Sequence, residues 1–256
     1  STCDKTGETG MSIPKIIHYC WFGGGAISPG NRKCMESWKK YCPDYRIIEW
    51  NDQNFDISTN RYAQQAYEVK KYAFVSDYVR LAVLYEYGGI YLDTDVELVR
   101  PLDELLELPG FMGFQTNNEV ATGLGFGARK GNSVVQALLR DYDALDFLKA
   151  DGSADLTPCP ERNTRVLQAL GVRKDGTRQS IAEMEIFPAE YFCPMDFYSR
   201  ELRVTPKTYS IHRYAESWKP KPSAVSRILQ RLLKKHYYTW YCPLRGRIEG
   251  RLRKRT

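Results

Sequence analysis

Residues 15–50 read as strand, glycine break, helix and strand, and that order decides the class of fold. The segment 15–22 is β-prone and mostly apolar, as a buried strand should be, and Gly23-Gly24-Gly25 interrupts it. Asn31 can cap a helix reaching about Tyr41, Pro43-Asp44 ends that helix, and residues 45–50 return to strand character. A strand that returns through a helix lies parallel to the first, so the chain is predicted to be α/β. Ligands of such sheets collect at the carboxyl ends of the strands, here residues 20–24 and 50–54.

A long helical stretch is expected next, over residues 60–87, broken once near Ala73. Asp77 and Arg80, three residues apart, share a face of it. Gly88-Gly89 stops the helix, Ile90-Tyr91-Leu92 is a short apolar strand, and Asp93-Thr94-Asp95 follows at its carboxyl end. Residues 96–99 look extended and 101–108 like a short acidic helix. Further strands are predicted at 111–115 and 124–128, and helices at 132–142, capped by Asn132, and at 161–170. Between 184 and 214 short strands alternate with proline-bearing loops. No internal repeat or low-complexity linker appears, so one domain over residues 11–222 is expected. Residues 1–10, polar and patternless before Met11, read as a leader foreign to the native chain, and residues 223–256 as a separate tail.

Composition removes several classes. The chain has 256 residues, 43% hydrophobic and 27% charged, which excludes collagen, coiled coil and wholesale disorder. It contains no apolar run of 18 residues and no secretory-type leader at its start, so the expected setting is cytoplasmic. Its seven cysteines are scattered without a CxxC pair, which fits reduced thiols better than a zinc ribbon. The net charge of +6 is a tail property: residues 223–256 hold ten basic residues against Glu249 alone, leaving the body at −3. A body of that sign argues against nucleic acid as a partner.

The tail alternates Val225, Ile228, Leu229, Leu232 and Leu233 with Arg227, Arg231, Lys234 and Lys235, followed by Tyr237, Tyr238, Trp240 and Tyr241. A basic amphipathic helix with interfacial aromatics suits an anionic membrane surface, and it suits equally a helix packing its apolar stripe on the domain.

Asp93-Thr94-Asp95 carries the strongest chemical signal. Alternate residues of an extended segment point the same way, so both carboxylates can face one ligand, and their mutual repulsion asks for a cation or a shared proton. Oxygen-rich sites of this kind suit Mg²⁺ or Mn²⁺ bridging to diphosphate oxygens. A solvated acidic turn is the plain alternative. Asp77 and Arg80 could likewise be an ordinary helix pair contributing roughly 0.3–0.5 kcal/mol, Trp21 a core residue and His18 a structural histidine. Gly123-Leu124-Gly125-Phe126-Gly127 lacks dinucleotide spacing and reads as close backbone packing near an acceptor cleft.

Asp77-Tyr78-Val79-Arg80, Leu84 and Gly88-Gly89-Ile90-Tyr91-Leu92-Asp93-Thr94-Asp95 together resemble the signature of the DXD-containing glycosyltransferases of family 32. That group includes yeast initiating mannosyltransferases and bacterial capsule and lipopolysaccharide enzymes. Residues 14–23 resemble its first strand, and Ser210-Ile211-His212 with Ser217-Trp218 its closing motif, so the likeness runs over roughly residues 13–218. The chain departs from that closing pattern at Arg213-Tyr214 and Glu216, where the family often has His-Trp and Gly.

The resemblance implies a GT-A fold, a Rossmann-like mixed sheet flanked by helices, to which the tail's own pattern adds the basic amphipathic helix at the C-terminus. It implies retaining, Mn²⁺- or Mg²⁺-dependent transfer from a nucleotide-sugar donor, UDP-sugar first, to a saccharide or lipid-linked glycan acceptor in surface polysaccharide synthesis. Large clostridial glucosylating toxins share the core motifs and suggest individual roles. Trp21 would stack on the base, Asp77 and Arg80 would hold donor sugar hydroxyls, and Tyr91 and Asp93 would lie near the ribose. Asp93 and Asp95 would meet the metal with His212 as a further ligand, and Ser217 and Trp218 would grip the diphosphate. Asp93, Asp95 and Arg80 are the candidate catalytic residues. No other carboxylate stands out as a nucleophile, which favours front-face substitution. The tail would place the enzyme on the inner face of a membrane. A nucleotide-sugar hydrolase and a non-catalytic, membrane-docking nucleotide-sugar-binding protein are the alternatives.

Overall fold

The computed structural model describes residues 12–197 and 199–215. Ile16–Cys20 (β1), Pro29–Tyr41 (α1) and Arg46–Trp50 (β2) form the expected βαβ unit, with β1 and β2 parallel from Ile16 beside Arg46 to Cys20 beside Trp50. The cap of α1 is Ser28, not Asn31: the Ser28 hydroxyl accepts from the Asn31 N–H at 3.1 Å. Pro29 at the first helical position fixes that start. Asn31 is buried instead, and its amide donates to Thr94 at 2.8 Å.

The stretch 60–87 is two helices, Arg61–Glu68 (α2) and Tyr72–Tyr87 (α3), each shorter than one continuous rod. Asn60 caps α2 by accepting from the Ala63 N–H at 3.0 Å. The break lies slightly before Ala73, where Lys70 takes a φ of 58°. α3 is mostly buried because it lies between the sheet and the other helices. It ends at Gly88, with a φ of 66°, and Gly89 follows with a φ of 109°. A Cβ on Gly89 would sit 2.8 Å from the Ile16 carbonyl and 2.9 Å from His18 Nε2. Both the backbone angle and the close strand therefore require glycine there.

Gly89–Tyr91 (β3) and Val96–Leu98 (β4) flank the two carboxylates. Gly110–Phe114 (β5), Val120–Ala121 (β6) and Phe126–Ala128 (β7) come next, then Ser133–Asp143 (α4) and Cys159–Ala169 (α5). Gln179–Ile181 (β8), Met184–Phe187 (β9), Ala189–Phe192 (α6) and Ser210–His212 (β10) complete the described chain. Asn132 caps α4 as expected, whereas the acidic segment after Pro101 forms only a short 3₁₀ turn at Asp103–Leu105.

The main sheet runs β2-β1-β3-β7-β5-β9-β8, with β6 beside β5. It is parallel through β2-β1-β3 and at β5-β9 and antiparallel elsewhere, so the expected mixed α/β architecture is present. Side chains alternate between two cores in step with the strands. Ile90 and Leu92 join Trp38 and Phe111 on the α1 side, while Tyr91 joins Val79, Met112 and Phe126 on the α3 side. A separate antiparallel pair, β4 with β10, sets His212 opposite Val96. No helix among the described residues is long and apolar enough to cross a membrane. The leader at 1–10 and the tail at 223–256 lie outside the described residues.

Candidate active site

The carboxylates meet through a turn rather than through strand alternation. The Val96 N–H donates to the Asp93 carbonyl at 2.9 Å, so residues 93–96 form a tight turn between β3 and β4. This corrects the expectation of an extended DXD segment. The result is the same convergence: one oxygen each of Asp93 and Asp95 and one ring nitrogen of His212 lie within 4.8 Å of one another. The β4–β10 pairing delivers His212 to this turn from the far end of the described chain.

Helix α3 supplies the other half of the site. Arg80 Nη2 lies 3.1 Å from Asp77 Oδ1 and 3.2 Å from Asp93 Oδ1. Arg80 Nε donates to the Ser76 carbonyl at 3.1 Å, and its guanidinium lies 4.9 Å from the centre of the Tyr91 ring. Tyr91 and Asp93 point to the same side of β3, and the Tyr91 hydroxyl donates to Asp93 Oδ1 at 3.0 Å. The Arg80 side chain is only 6% exposed. A buried cation shared by two carboxylates is no ordinary surface pair, because losing either partner leaves charge unpaired in a dry setting.

Burial pushes Asp77 up to about 6 against the pull of Arg80. The two DXD carboxylates differ. Burial and the facing Asp95 raise Asp93, although Arg80 opposes them. Burial would raise Asp95 too, but the His212 charge, its hydrogen bond and the Ala215 N–H bring it down to about 2. Asp95 Oδ1 lies 3.2 Å from His212 Nε2, and Oδ2 accepts from the Ala215 N–H at 2.8 Å. Burial works against a charge on His212, yet Asp95 raises its pKa overall.

The donor set fits a divalent cation. Two carboxylate oxygens and an imidazole nitrogen converge at partly exposed side chains, and His212 Nδ1 is buried without a partner. Hard oxygen ligands suit Mg²⁺ or Mn²⁺.

Other expected residues fall as follows. Trp21 is partly buried at the end of β1, its indole N–H donating to the Gly25 carbonyl. Because β1 and β3 are parallel neighbours, Trp21 and Asp93 leave the same edge of the sheet. His18 is structural: its Nε2 lies 2.9 Å from the Gly88 carbonyl and its Nδ1 accepts from the Trp50 indole at 3.0 Å. Burial lowers its pKa to about 4, so it holds the turn ahead of β3 as a neutral ring. Ser217 and Trp218 lie outside the described residues. A surface depression along Asp52, Phe55, Asp56 and Tyr67 shares no residue with the carboxylate cluster.

Sequence reasoning missed several neighbours. Thr122 Oγ1 lies 3.4 Å from Arg80 Nη1, and it contacts Cys159 Sγ at 3.3 Å and Asn163 Nδ2 at 3.1 Å. Burial pushes the Cys159 thiol up to about 12, so it is a hydrogen-bonding group rather than a nucleophile. Gly123 backs Asp93 directly, since a Cβ there would lie 2.2 Å from Asp93 Oδ2. The glycine run was the signal for that contact. Thr122, Cys159 and Asn163 left none, because single polar residues far apart in sequence carry no spacing.

Residues 28–111, from the cap of α1 through both carboxylates to β5, match the family model described as the glycosyltransferase sugar-binding region containing the DXD motif. Over those residues the chain is similar to the DXD-containing glycosyltransferases. It is 30% identical over 151 residues to inositol phosphoceramide mannosyltransferase 3 of Schizosaccharomyces pombe, covering 53% of this chain and 39% of that protein. It is 28% identical over 148 residues to the human alpha-1,4-N-acetylglucosaminyltransferase, covering 58% of this chain and 38% of that one. The chain thus matches well under half the length of either relative. Among solved structures, the PaToxG glycosyltransferase is similar at 21% identity and a TM-score of 0.45, over 62% of this chain and 70% of that one.

Proposed function

We propose that this chain is a metal-dependent, retaining glycosyltransferase, moving a hexose from a nucleotide-sugar donor, a UDP-sugar first, to a glycan or lipid-linked saccharide. The observation that carries this reading is the contact between Arg80 and Asp93. It joins a buried acid–base pair suited to sugar hydroxyls with a carboxylate–imidazole cluster suited to a cation on diphosphate. Relatives bearing mannosyltransferase and N-acetylglucosaminyltransferase names support sugar transfer of this general kind.

In this reading Asp77, ionised above about pH 6, accepts from donor sugar hydroxyls. Arg80 holds Asp77 and Asp93 in register and adds fixed positive charge beside the departing diphosphate, where preorganised charge contributes a large share of the rate. Trp21 stacks on the base. When bound, a divalent cation supplies Lewis-acid stabilisation of the leaving group. Asp93, Asp95 and His212 are the residues that would hold it. Asp77 and Asp93 are both engaged by Arg80 and sit poorly as covalent nucleophiles, so the acceptor hydroxyl attacks from the leaving-group face and gives its proton to the departing phosphate. The basic tail rests on the inner face of the membrane, beside a lipid-linked acceptor.

The deciding experiment is a thermal-shift screen of UDP- and GDP-sugars with Mn²⁺ or Mg²⁺, repeated on Asp95→Ala. A donor bound only by the native state stabilises it by about 2.7 kcal/mol at a hundredfold excess over its dissociation constant. A metal-dependent shift with one donor, lost in the variant, is expected; no shift with any donor sinks the proposal. Turnover with and without a saccharide acceptor then separates transferase from hydrolase.

A further inference from the structure

The segment that follows β10 is fixed to Asp95 more firmly than a passing loop needs to be. Three consecutive contacts converge there: His212 Nε2 on Asp95 Oδ1 at 3.2 Å, the Arg213 N–H on the Asp95 carbonyl at 2.9 Å, and the Ala215 N–H on Asp95 Oδ2 at 2.8 Å. Between the last two stands Tyr214, with a φ of 50°. Left-handed backbone is unusual for a bulky aromatic residue, and such geometry persists only where surrounding contacts over-determine it. Those contacts are present. The Tyr214 hydroxyl lies 2.9 Å from Cys193 Sγ, its ring meets Phe197 edge-on at 5.0 Å, and the Arg200 guanidinium lies 5.4 Å from its centre. On its other side the ring stands edge-on to His212, with centroids 4.3 Å apart.

We propose that Tyr214 is the positioning residue of the cation site. Its anchored ring sets the His212 imidazole, and its left-handed turn aims the Ala215 N–H at Asp95, so that two of the three ligands are oriented before the ion arrives. The inference rests on the cation reading of Asp93, Asp95 and His212. Tyr214 itself touches no ligand atom of the ion; it acts through its neighbours, as outer groups that orient metal ligands do. His212 Nδ1 has no hydrogen-bond partner to fix the ring, so the packed aromatic face is what the imidazole has in place of one.

The test is Mn²⁺ affinity of the full chain by titration calorimetry, with no donor and no turnover involved. Tyr214→Asn keeps a residue tolerant of positive φ but removes the ring, and should weaken Mn²⁺ binding 10- to 100-fold. Tyr214→Phe keeps the ring against His212 and Phe197 and should stay within about threefold of wild type. Because removing a packed ring can unfold the chain, Ala215→Pro serves as a second variant at an exposed position. A proline there deletes the N–H and drives Tyr214 toward extended backbone, so it too should weaken binding about tenfold or more. Folded Asn and Pro variants that bind Mn²⁺ within about twofold of wild type would overturn the assignment. A wild-type chain that binds no Mn²⁺ would overturn the cation reading and this inference with it.

Discussion

Gly123→Ala separates the geometry of Asp93 from its chemistry. The added methyl would lie 2.2 Å from Asp93 Oδ2, where real contacts essentially never fall below 3.0 Å. The carboxylate must therefore retreat by at least 0.8 Å, and Arg80 Nη1, 3.3 Å from the same methyl, leaves little room on that side. Gly123 has no positive φ, so alanine strains nothing else in the backbone. Asp93 loses alignment with Arg80 and the Tyr91 hydroxyl, now at 3.2 and 3.0 Å. Overpacking of this size costs about 1–3 kcal/mol, equivalent to a drop of roughly 2–12 °C in Tm for a chain this long. The catalytic effect should be larger, since misplacing a reacting-site group by about 1 Å can cost roughly 100-fold in rate. The assay is sugar transfer at saturating donor alongside thermal melting, with Gly25→Ala as the control because nothing lies within 4 Å of its new methyl. If Gly123→Ala folds and keeps turnover within about threefold of wild type, Asp93 does not act from the position that the structure gives it.

Three further outcomes follow from particular contacts. Asp77 ionises near pH 3.8 in the unfolded chain and near 6 when folded. Between those values the folded protein holds the extra proton, so this group's contribution to stability is greatest below the window and is lost as pH rises through it. Asp77→Asn should remove that slope between pH 4 and 6 in metal-free melts while abolishing donor binding, and parallel wild-type and variant curves would contradict the raised carboxyl. Gly89→Ala should destabilise by more than about 1 kcal/mol, because φ there is 109° and its Cβ would meet the Ile16 carbonyl at 2.8 Å; chemical denaturation reads this. Asn132→Ala removes the acceptor for the Val134 and Val135 N–H groups and should destabilise by about 1 kcal/mol, with little change in Mn²⁺ affinity.

The parts of the fold that were legible in the sequence are those set by neighbours along the chain. The βαβ opening, the glycine stop after α3 and the Asn132 cap depend on local periodicity and local hydrogen bonds. The cap of α1 is Ser28 rather than the expected Asn31 because two capping side chains stand three residues apart, and only Pro29 marks which one begins the helix. Asp77, Arg80, Asp93 and Asp95 were readable because they fall within nineteen residues of one another on a helix and a turn. The Thr122, Cys159 and Asn163 wall was not, since it is assembled where β6 packs on α5 and Thr122 reaches Arg80. The role of Tyr214 was likewise hidden: a left-handed tyrosine has no sequence mark, and its partners Cys193 and Phe197 come from another loop.

The two carboxylates of the DXD turn are not equivalent, because different parts of the chain surround them. Asp95 receives a backbone N–H and an imidazole from the β10 segment, so it stays ionised and can meet a cation without first losing a proton. Asp93 receives its partners from α3 and β3 instead, and its pKa is raised by burial and by Asp95 itself. A cation placed among Asp93, Asp95 and His212 would reverse that repulsion and lower Asp93. In the proposed site, the carboxylate facing Asp77 and Arg80 would thereby depend on the ion, whereas the carboxylate facing the β10 segment would not. Occupancy of the proposed metal site and alignment of Arg80 would then be one event, joined through Asp93. Asp93→Asn should accordingly loosen donor binding at Arg80 even where Asp95 and His212 retain Mn²⁺, a separation that paired calorimetric titrations of metal and donor can detect.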